Sequence, residues 1–550
     1  MNKTVFLPNW TWPALVLLIS LSFLPYSLWE AWGKYTSLLL GFFILFIGII
    51  FSSENGQSSQ RTAFKRTPLD IPIILFFLVI FISLKKSLVS EISAEEFITW
   101  INCFFIYFFA ANLKNKKHSL LIKTVVFWGI LFVGFGFYQR FFLQVKNIDG
   151  NFANPNIFAG FLILVIPVIF LVPSPLVGEG RVRGNKSRDA KFCVSTNFVG
   201  AIFLIALFLT GSLGGIFSLL LAWLVFYWSK FNQKVRIALL LIIGLALIWV
   251  LWTKFQQPGV YNRLIWWQGA LRMIGEHPWF GVGLGGFGRL YLKYKTAGLN
   301  STYAHNFYLQ LASEIGIIGL LIFLWLIYRF WRFSPFSGIK IGIAAALIHN
   351  FVEYNLFLSS NGFTFWLFLG MGIGALEPTK VNLKLSRISF LILAGFMVLA
   401  AEINLLKFFW AKQNLSWAGN ALLKNNLSQV WEKSKIVLKY NPYSSTAHYY
   451  LYLVFLGKYS QEKYSSYLDE AVLELRSALS LEPHNSRYWG ELGKLYLSKG
   501  EEKLALESAL KAVENNFYNS GSHRMLADVY SQLGDKQSAE KETAIAEGLD

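Results

Sequence analysis

The chain has 550 residues, 55% hydrophobic and 17% aromatic, with a formal charge of +19 and a mean hydropathy of +0.46. Charged residues reach only 15%, against roughly 25% in soluble domains, which excludes one water-soluble domain throughout. In a soluble protein the basic excess would point to nucleic acid; placed between apolar runs it points instead to membrane loops held by lysine and arginine, and no nucleic-acid partner is expected.

Apolar runs long enough to cross a bilayer recur from Thr11 to about Leu406. They predict thirteen spans, near 12–29, 35–52, 69–84, 97–111, 119–139, 156–173, 197–211, 213–229, 237–252, 307–328, 341–358, 361–376 and 388–406. The first is read as an uncleaved anchor, because no small-residue cleavage site follows it. The pair 197–211 and 213–229 is kept as two, split at "TGSLGG", because fusing them would break the charge alternation.

With the N-terminus inside, the loops 53–68, 112–118, 174–196, 230–236, 329–340 and 377–387 each carry three to five basic residues. The short outside loops carry fewer: Lys34, then Lys85 and Lys86 offset by Glu91, Glu95 and Glu96, then Arg140 and Lys146. Every one of these loops supports the same orientation. "SPLVGEGRVRGNKSRDAKF", from Ser174, reads as a flexible inside insertion without the Gly-Lys-Ser/Thr order of a phosphate loop. Cys103 and Cys193 form neither a metal spacing nor a disulfide framework, and no metal or cofactor is expected.

One outside segment breaks the charge rule. Residues 253–306 hold Lys254, Arg263, Arg272, Arg289, Lys293 and Lys295 against the single carboxylate Glu276. Long loops translocate whatever their charge, which is one reading. The other is a site for a polyanion, since guanidinium forks suit phosphate oxygens.

Beyond about Lys407 the composition becomes that of a soluble domain, with 17 basic and 17 acidic residues. Leu492, Tyr496, Gly500, Ala505 and Ala512 recur 34 residues later as Leu526, Tyr530, Gly534, Ala539 and Ala546, and Ala471 and Ala478 extend the pattern backwards. The period resembles the tetratricopeptide repeat, small residues marking helix contacts and Gly the turn between them. The expected fold class is therefore all-α: a polytopic membrane domain over 1–406 and an outside helical-repeat domain over 407–550. The tail reads either as a concave surface for a protein partner or as a spacer.

The outside segment reads "GVYNRLIWWQGALRMIGEHPWFGVGLGGFGRLY", and then "TYAHNFYLQLASEIGIIG". Arg263, Trp267, Pro278, Gly281, Gly283, His305, Asn306, Glu314, Gly316 and Gly319 follow in an order that resembles the O-antigen ligase/polymerase superfamily of bacterial membrane glycosyltransferases. A second matching element is "GNFANPNIFAGFL", from Gly150 to Leu162. The resemblance covers roughly residues 10–380. It implies a helical fold similar to the GT-C class and a donor glycan carried on undecaprenyl diphosphate. It also implies transfer to a glycan, lipid or protein acceptor at the outer face of the bacterial cytoplasmic membrane.

His305 is the first choice for the chemistry, as base toward the acceptor hydroxyl or as donor to the diphosphate, because an imidazole titrating near 6.5 serves both roles. Arg263 is the first choice for the diphosphate, and Arg289, Lys293 and Arg140 are further candidates. A fixed positive charge at the leaving group would stand in for a metal. Asn306 is a supporting residue or simply the N-cap of its helix. Glu314, nine residues beyond His305 and so about 13 Å down a helix, reads as a structural hydrogen-bonding group. His349 and Glu353, four apart in the predicted span 341–358, read as an inter-helix polar contact rather than half of a metal site.

One departure stands out: family members usually carry Arg where "LTGSLGG" has Leu213. It keeps alive a non-enzymatic scaffold whose site has decayed. A polysaccharide flippase would show repeated halves with broken helices, and no such symmetry is visible. A peptidoglycan polymerase would rely on a loop carboxylate, for which Glu276 alone is a poor match.

Overall fold

The structure is a computed structural model that describes residues 11–21, 23, 36–37, 40–41, 63–113, 115–152, 154–171, 186–241, 244, 258–335, 337–374, 379–382 and 387–550. Most of the expected spans 35–52 and 237–252, the later part of 12–29, the first half of the 174–196 insertion and Lys254 lie outside the described residues.

The described membrane region is helical. α1 (Thr11–Leu21), α2 (Asp70–Lys85), α3 (Ser90–Asn112), α4 (Asn115–Phe141), α5 (Pro155–Leu171), α6 (Lys186–Leu209) and α7 (Leu213–Tyr227) come first. The segment expected outside, called the outer segment for its charge pattern, forms α8 (Pro258–Glu276) and α9 (Gly286–Tyr294), and α10 (Phe307–Phe333), α11 (Ser337–His349), α12 (Ser359–Gly374) and α13 (Arg387–Leu423) follow. Among the described residues, four helices are long and apolar enough to cross a membrane: Ser90–Asn112, His118–Phe141, Leu213–Lys230 and Phe307–Phe333. The "TGSLGG" split is present, with Ser212 accepting the Gly215 N–H at 3.3 Å to cap α7.

The helices are apolar on both sides, as α2 shows by burying Phe76 and Ile80 while exposing Ile74 and Phe81. α3 lies along α12, α10 along α2, and α11 against both α5 and α7. Phe76 of α2 sits 5.4 Å from Trp100 of α3 and 5.9 Å from Phe323 of α10, ring to ring. Between such helices van der Waals fit and small residues govern the approach. At Gly342 a Cβ would stand 2.4 Å from the Leu164 carbonyl, so only glycine lets α11 meet α5. Strands β1 (Ala63–Arg66) and β2 (Thr379–Asn382) pair antiparallel with Ala63 opposite Asn382. They join two loops that the charge pattern assigns to one side.

The expected span 341–358 is not one helix. α11 stops at His349: the Leu347 carbonyl accepts the Tyr308 hydroxyl (2.8 Å), the Phe351 N–H turns to the Ile348 carbonyl (3.2 Å), and Asn350 Oδ1 accepts the Leu356 N–H (3.3 Å), which closes the turn. The carbonyls of Asn350 and Glu353 turn instead to the Phe307 N–H, each at 2.9 Å. His349 and Glu353 therefore do not share a helix face.

The tail is a series of antiparallel helix pairs. α14 (Leu427–Tyr440) returns along α13, and α15 (Ser445–Glu462) with α16 (Ser466–Leu481), α17 (Ser486–Ser498) with α18 (Glu502–Asn515), and α19 (Ser520–Gln532) with α20 (Lys536–Leu549) complete it. Gly500 and Gly534 take φ of +73° and +80° in the turns the repeat predicted for them. Asn485 and Asn519, one period apart, cap the first helix of each of the last two pairs. The expected boundary at 406/407 falls inside α13, which runs unbroken from the last span into the first pair. The tail rests on the outer segment and on the start of α3. Lys412 donates to Glu95 (2.6 Å), Asn441 to Glu91 (3.0 Å), and the Tyr518 hydroxyl to the Thr296 carbonyl (2.6 Å).

Candidate functional site

The motif glycines build a junction. Gly316, at φ +79°, interrupts α10 and frees backbone groups on either side. The Ser313 and Glu314 carbonyls accept the N–H groups of Val282 (2.9 Å) and Gly283 (3.0 Å), and the Ile317 N–H donates to the Pro278 carbonyl at 2.8 Å. A Cβ on Gly281 would lie 2.3 Å from the Glu314 backbone, and one on Gly316 would lie 2.0 Å from the Trp279 carbonyl. Two backbones in direct contact thus fix the outer segment against α10. Glu314 is buried below this junction. Its carboxyl receives Gln310 Nε2 at 3.1 Å and backbone N–H groups of Gly285 and Phe287 at the start of α9. These bonds tie α9 to α10.

Asn306 caps α10, its Oδ1 accepting the Tyr308 and Leu309 N–H groups at 3.0 Å each, while its Nδ2 donates to the Phe351 carbonyl (2.9 Å). The cap holds His305 at the helix mouth with φ +49°. The His305 imidazole stacks on Trp266 of α8, centroids 4.6 Å apart, and meets the edge of Tyr354 at 4.9 Å. Its Nδ1 faces Glu353 Oε2 at 3.6 Å, an ion-pair distance longer than a hydrogen bond.

Glu353 brings the other parts together. Its Oε1 accepts Arg263 (2.7 Å) and Asn156 Nδ2 (2.8 Å). Asn156 lies within the "GNFANPNIFAGFL" element, so both matching stretches and the α11–α12 link meet at one carboxylate. His349 bonds Asn355 through Nδ1 (3.2 Å) in the same cluster. Arg263 Nε, Trp266 Nε1 and His305 Nδ1 are buried and have no hydrogen-bond partner among the described residues. Arg263 and Trp266, three apart on α8, share a face. Sequence reasoning left Glu353 in a helix-to-helix contact; its partners lie 48, 90 and 197 residues away, and no local pattern carries that.

The other basic candidates are elsewhere. Arg140 donates to the Val145 and Lys146 carbonyls of its own loop (3.3 and 3.5 Å). Lys293 pairs with Glu276 at 3.1 Å, and Tyr294 donates to the same oxygen at 2.7 Å. Burial would raise the Glu276 carboxyl, but those two hydrogen bonds outweigh it and hold its pKa below the ordinary range, while burial lowers His277 beside it. Arg289 stands on α9 at the rim of a separate cavity. Leu213 begins α7, where the next residue, Gly214, would place a Cβ 3.3 Å from the His349 ring. The departure from the family pattern is thus next to the polar cluster.

Residues 198–324 match the Wzy_C family, described as O-Antigen ligase. The matched stretch contains Leu213, Arg263 and His305 and ends before Glu353. It supports lipid-linked glycan transfer at the level of the family. No curated protein matches the chain. Among solved structures, "Crystal structure of MamA" is 19% identical, over 30% of this chain and 88% of that one, with a TM-score of 0.23. "MamA RS-1 ArsTM double mutant" is 17% identical, over 27% and 84%, with a TM-score of 0.23. Likeness at that level carries no argument about the tail.

Proposed function

We propose that this chain transfers a glycan from an undecaprenyl-diphosphate carrier to an acceptor hydroxyl at the outer face of the bacterial cytoplasmic membrane. The observation that carries this reading is the convergence of Arg263, His305 and Glu353 at the mouth of α10. Arg263 and His305 keep about 25% and 23% of their side chains exposed there, and a guanidinium beside an imidazole suits the acceptor oxygens of a diphosphate. The family match over 198–324 supports the same substrate class.

In the proposed reaction the acceptor oxygen bonds to C1 of the donor sugar as the bond from C1 to the diphosphate oxygen breaks. The electron pair leaves on that oxygen, and His305 takes the hydroxyl proton. Glu353, facing Nδ1, stabilises the imidazolium that forms, as a carboxylate does behind a histidine base. Arg263 is held by Glu353 through one nitrogen and its side chain stays about 25% exposed, which leaves the guanidinium within reach of the diphosphate. A guanidinium fixed in this way stabilises the leaving group without reorganising, in place of a metal. Contacts of the tail with the outer segment suit a role in presenting the acceptor or a protein partner.

Leu213 favours the rival reading, a scaffold with a decayed site. The deciding assay uses purified protein, a defined lipid-diphosphate donor and candidate acceptors, with products read by mass and EDTA in a parallel sample. His305→Ala and Arg263→Ala should each abolish transfer while the protein still inserts, since such groups contribute roughly 10²–10⁴ in rate. Equal product from both variants and wild type would sink the proposal.

A further inference from the structure

Near the Arg263–His305–Glu353 cluster lies a cavity of about 410 Å³, lined by the start of α3, α9, the mouth of α10 and the α11–α12 link. Its size falls within the roughly 300–1,000 Å³ of small-ligand sites. Glu96 and Thr99 come from α3, Arg289 from α9, Gln310 and Glu314 from α10, and Tyr303 from the stretch before His305. We propose that this cavity is the subsite for a neutral sugar ring of the acceptor.

Charge argues for that class of ligand. Glu314 is buried and its carboxyl is already taken by Gln310 and backbone N–H groups, so the charges lining the cavity are Arg289 and Glu96, which balance. That offers a polyanion no excess of positive charge, whereas sugar hydroxyls both donate to a carboxylate and accept from a guanidinium. Tyr303 and Phe357 add aromatic surface for the apolar side of a pyranose. The floor is rigid. Gln310 and Glu314 are both buried, Gln310 Nε2 donates to Glu314, and Gln310 Oε1 accepts the N–H of Ala304 at 3.1 Å.

Position argues for the acceptor. Ala304 directly precedes His305, so the cavity floor and the proposed base are fixed by one short stretch of chain. Tyr303 stacks on Tyr354 with centroids 4.0 Å apart, and Tyr354 meets the His305 ring edge-on at 4.9 Å. A wall two rings thick separates the cavity from the imidazole. A sugar seated there is therefore an anchoring ring of the acceptor, and the reacting hydroxyl belongs to a neighbouring ring of the same glycan that reaches past the tyrosine pair to His305. The tail also touches α9, the helix that carries Arg289, through α18. The acceptor label rests on the proposed transfer; the sugar site itself does not.

The test uses the full chain in lipid nanodiscs and saturation-transfer NMR with a panel of neutral methyl pyranosides: hexoses, 6-deoxyhexoses and N-acetylhexosamines. Inorganic pyrophosphate is titrated into the same samples. At least one pyranoside should bind saturably. Thr99→Trp, which fills the cavity, should weaken it at least about tenfold, and Glu96→Gln, which keeps the volume, about fivefold. No binding by any pyranoside, binding untouched by both variants, or displacement of the sugar by pyrophosphate from the cavity would each overturn the assignment. If Thr99→Trp does not fold, Glu96→Gln decides alone. Pyrophosphate binding that survives Arg263→Ala would count against the transfer reading and leave the sugar site standing.

Discussion

Replacing Glu353 by glutamine keeps the shape of the side chain and removes its charge. At 3.6 Å from Nδ1 of His305, a full carboxylate would stabilise an imidazolium by about 4–5 kcal/mol at an effective dielectric near 20. Arg263, bonded to the other oxygen at 2.7 Å, already neutralises part of that charge. About half remains, roughly 2–3 kcal/mol, equivalent to about a hundredfold in rate. The amide oxygen still accepts from one of Arg263 and Asn156, so the guanidinium should stay near its place. Initial transfer rates at saturating donor and acceptor, on protein matched for folded yield, give the measurement. Glu353→Gln should lower kcat about a hundredfold, and Glu353→Asp, charged but shorter, should recover part of it. A glutamine variant with the wild-type rate would show that Glu353 only braces the link between α11 and α12.

Leu213→Arg should raise donor affinity, read as a lower KM for the lipid-diphosphate substrate, because it restores a cation beside the His349–Glu353 cluster; an unchanged KM would mean that this chain does not need it. Gly316→Ala should sharply reduce folded yield, since its Cβ would meet the Trp279 carbonyl at 2.0 Å in a left-handed conformation; a normal yield would refute the junction between the outer segment and α10. With Cys103 and Cys193 replaced by serine, single cysteines at Gly298 and Ser531 should both react with an impermeant thiol reagent added from outside; labelling of one alone would break the shared-side topology. Glu276, whose folded pKa is depressed below 4.5 by Tyr294 and Lys293, contributes stability above about pH 4.5 that is lost as the pH falls through the folded value. The melting temperature of Glu276→Gln should accordingly fall less than that of wild type between pH 5 and pH 3, and parallel curves would remove the linkage.

Much of this was legible in the residues because it is written locally. Asn306 precedes its helix with the amide that caps it, and Gly500 and Gly534 sit one period apart where a left-handed turn is needed. The "TGSLGG" break was visible because charge alternation demanded two helices. What escaped was closure at a distance. His349 and Glu353 look like one helical face until the Tyr308 hydroxyl, from another helix, takes the Leu347 carbonyl and the ladder ends. Asn156 looks like an ordinary helix start until its amide reaches Glu353. Arg289 and Lys293 carry the same charge as Arg263, but a helix of their own and the carboxylate of Glu276 direct them elsewhere. The 406/407 boundary followed composition, which changes there, whereas the backbone of α13 does not.

That unbroken α13 sets an angular condition on the tail. Each residue of an α-helix turns the chain by about 100° and advances it by about 1.5 Å. One residue added between the last span and Lys412 would swing Lys412 from Glu95 and Asn441 from Glu91, and would carry Tyr518 off the outer segment. Length change in this helix is therefore quantised: departures near whole turns keep the tail in phase with the membrane domain, and all others put it on the wrong side of the rod.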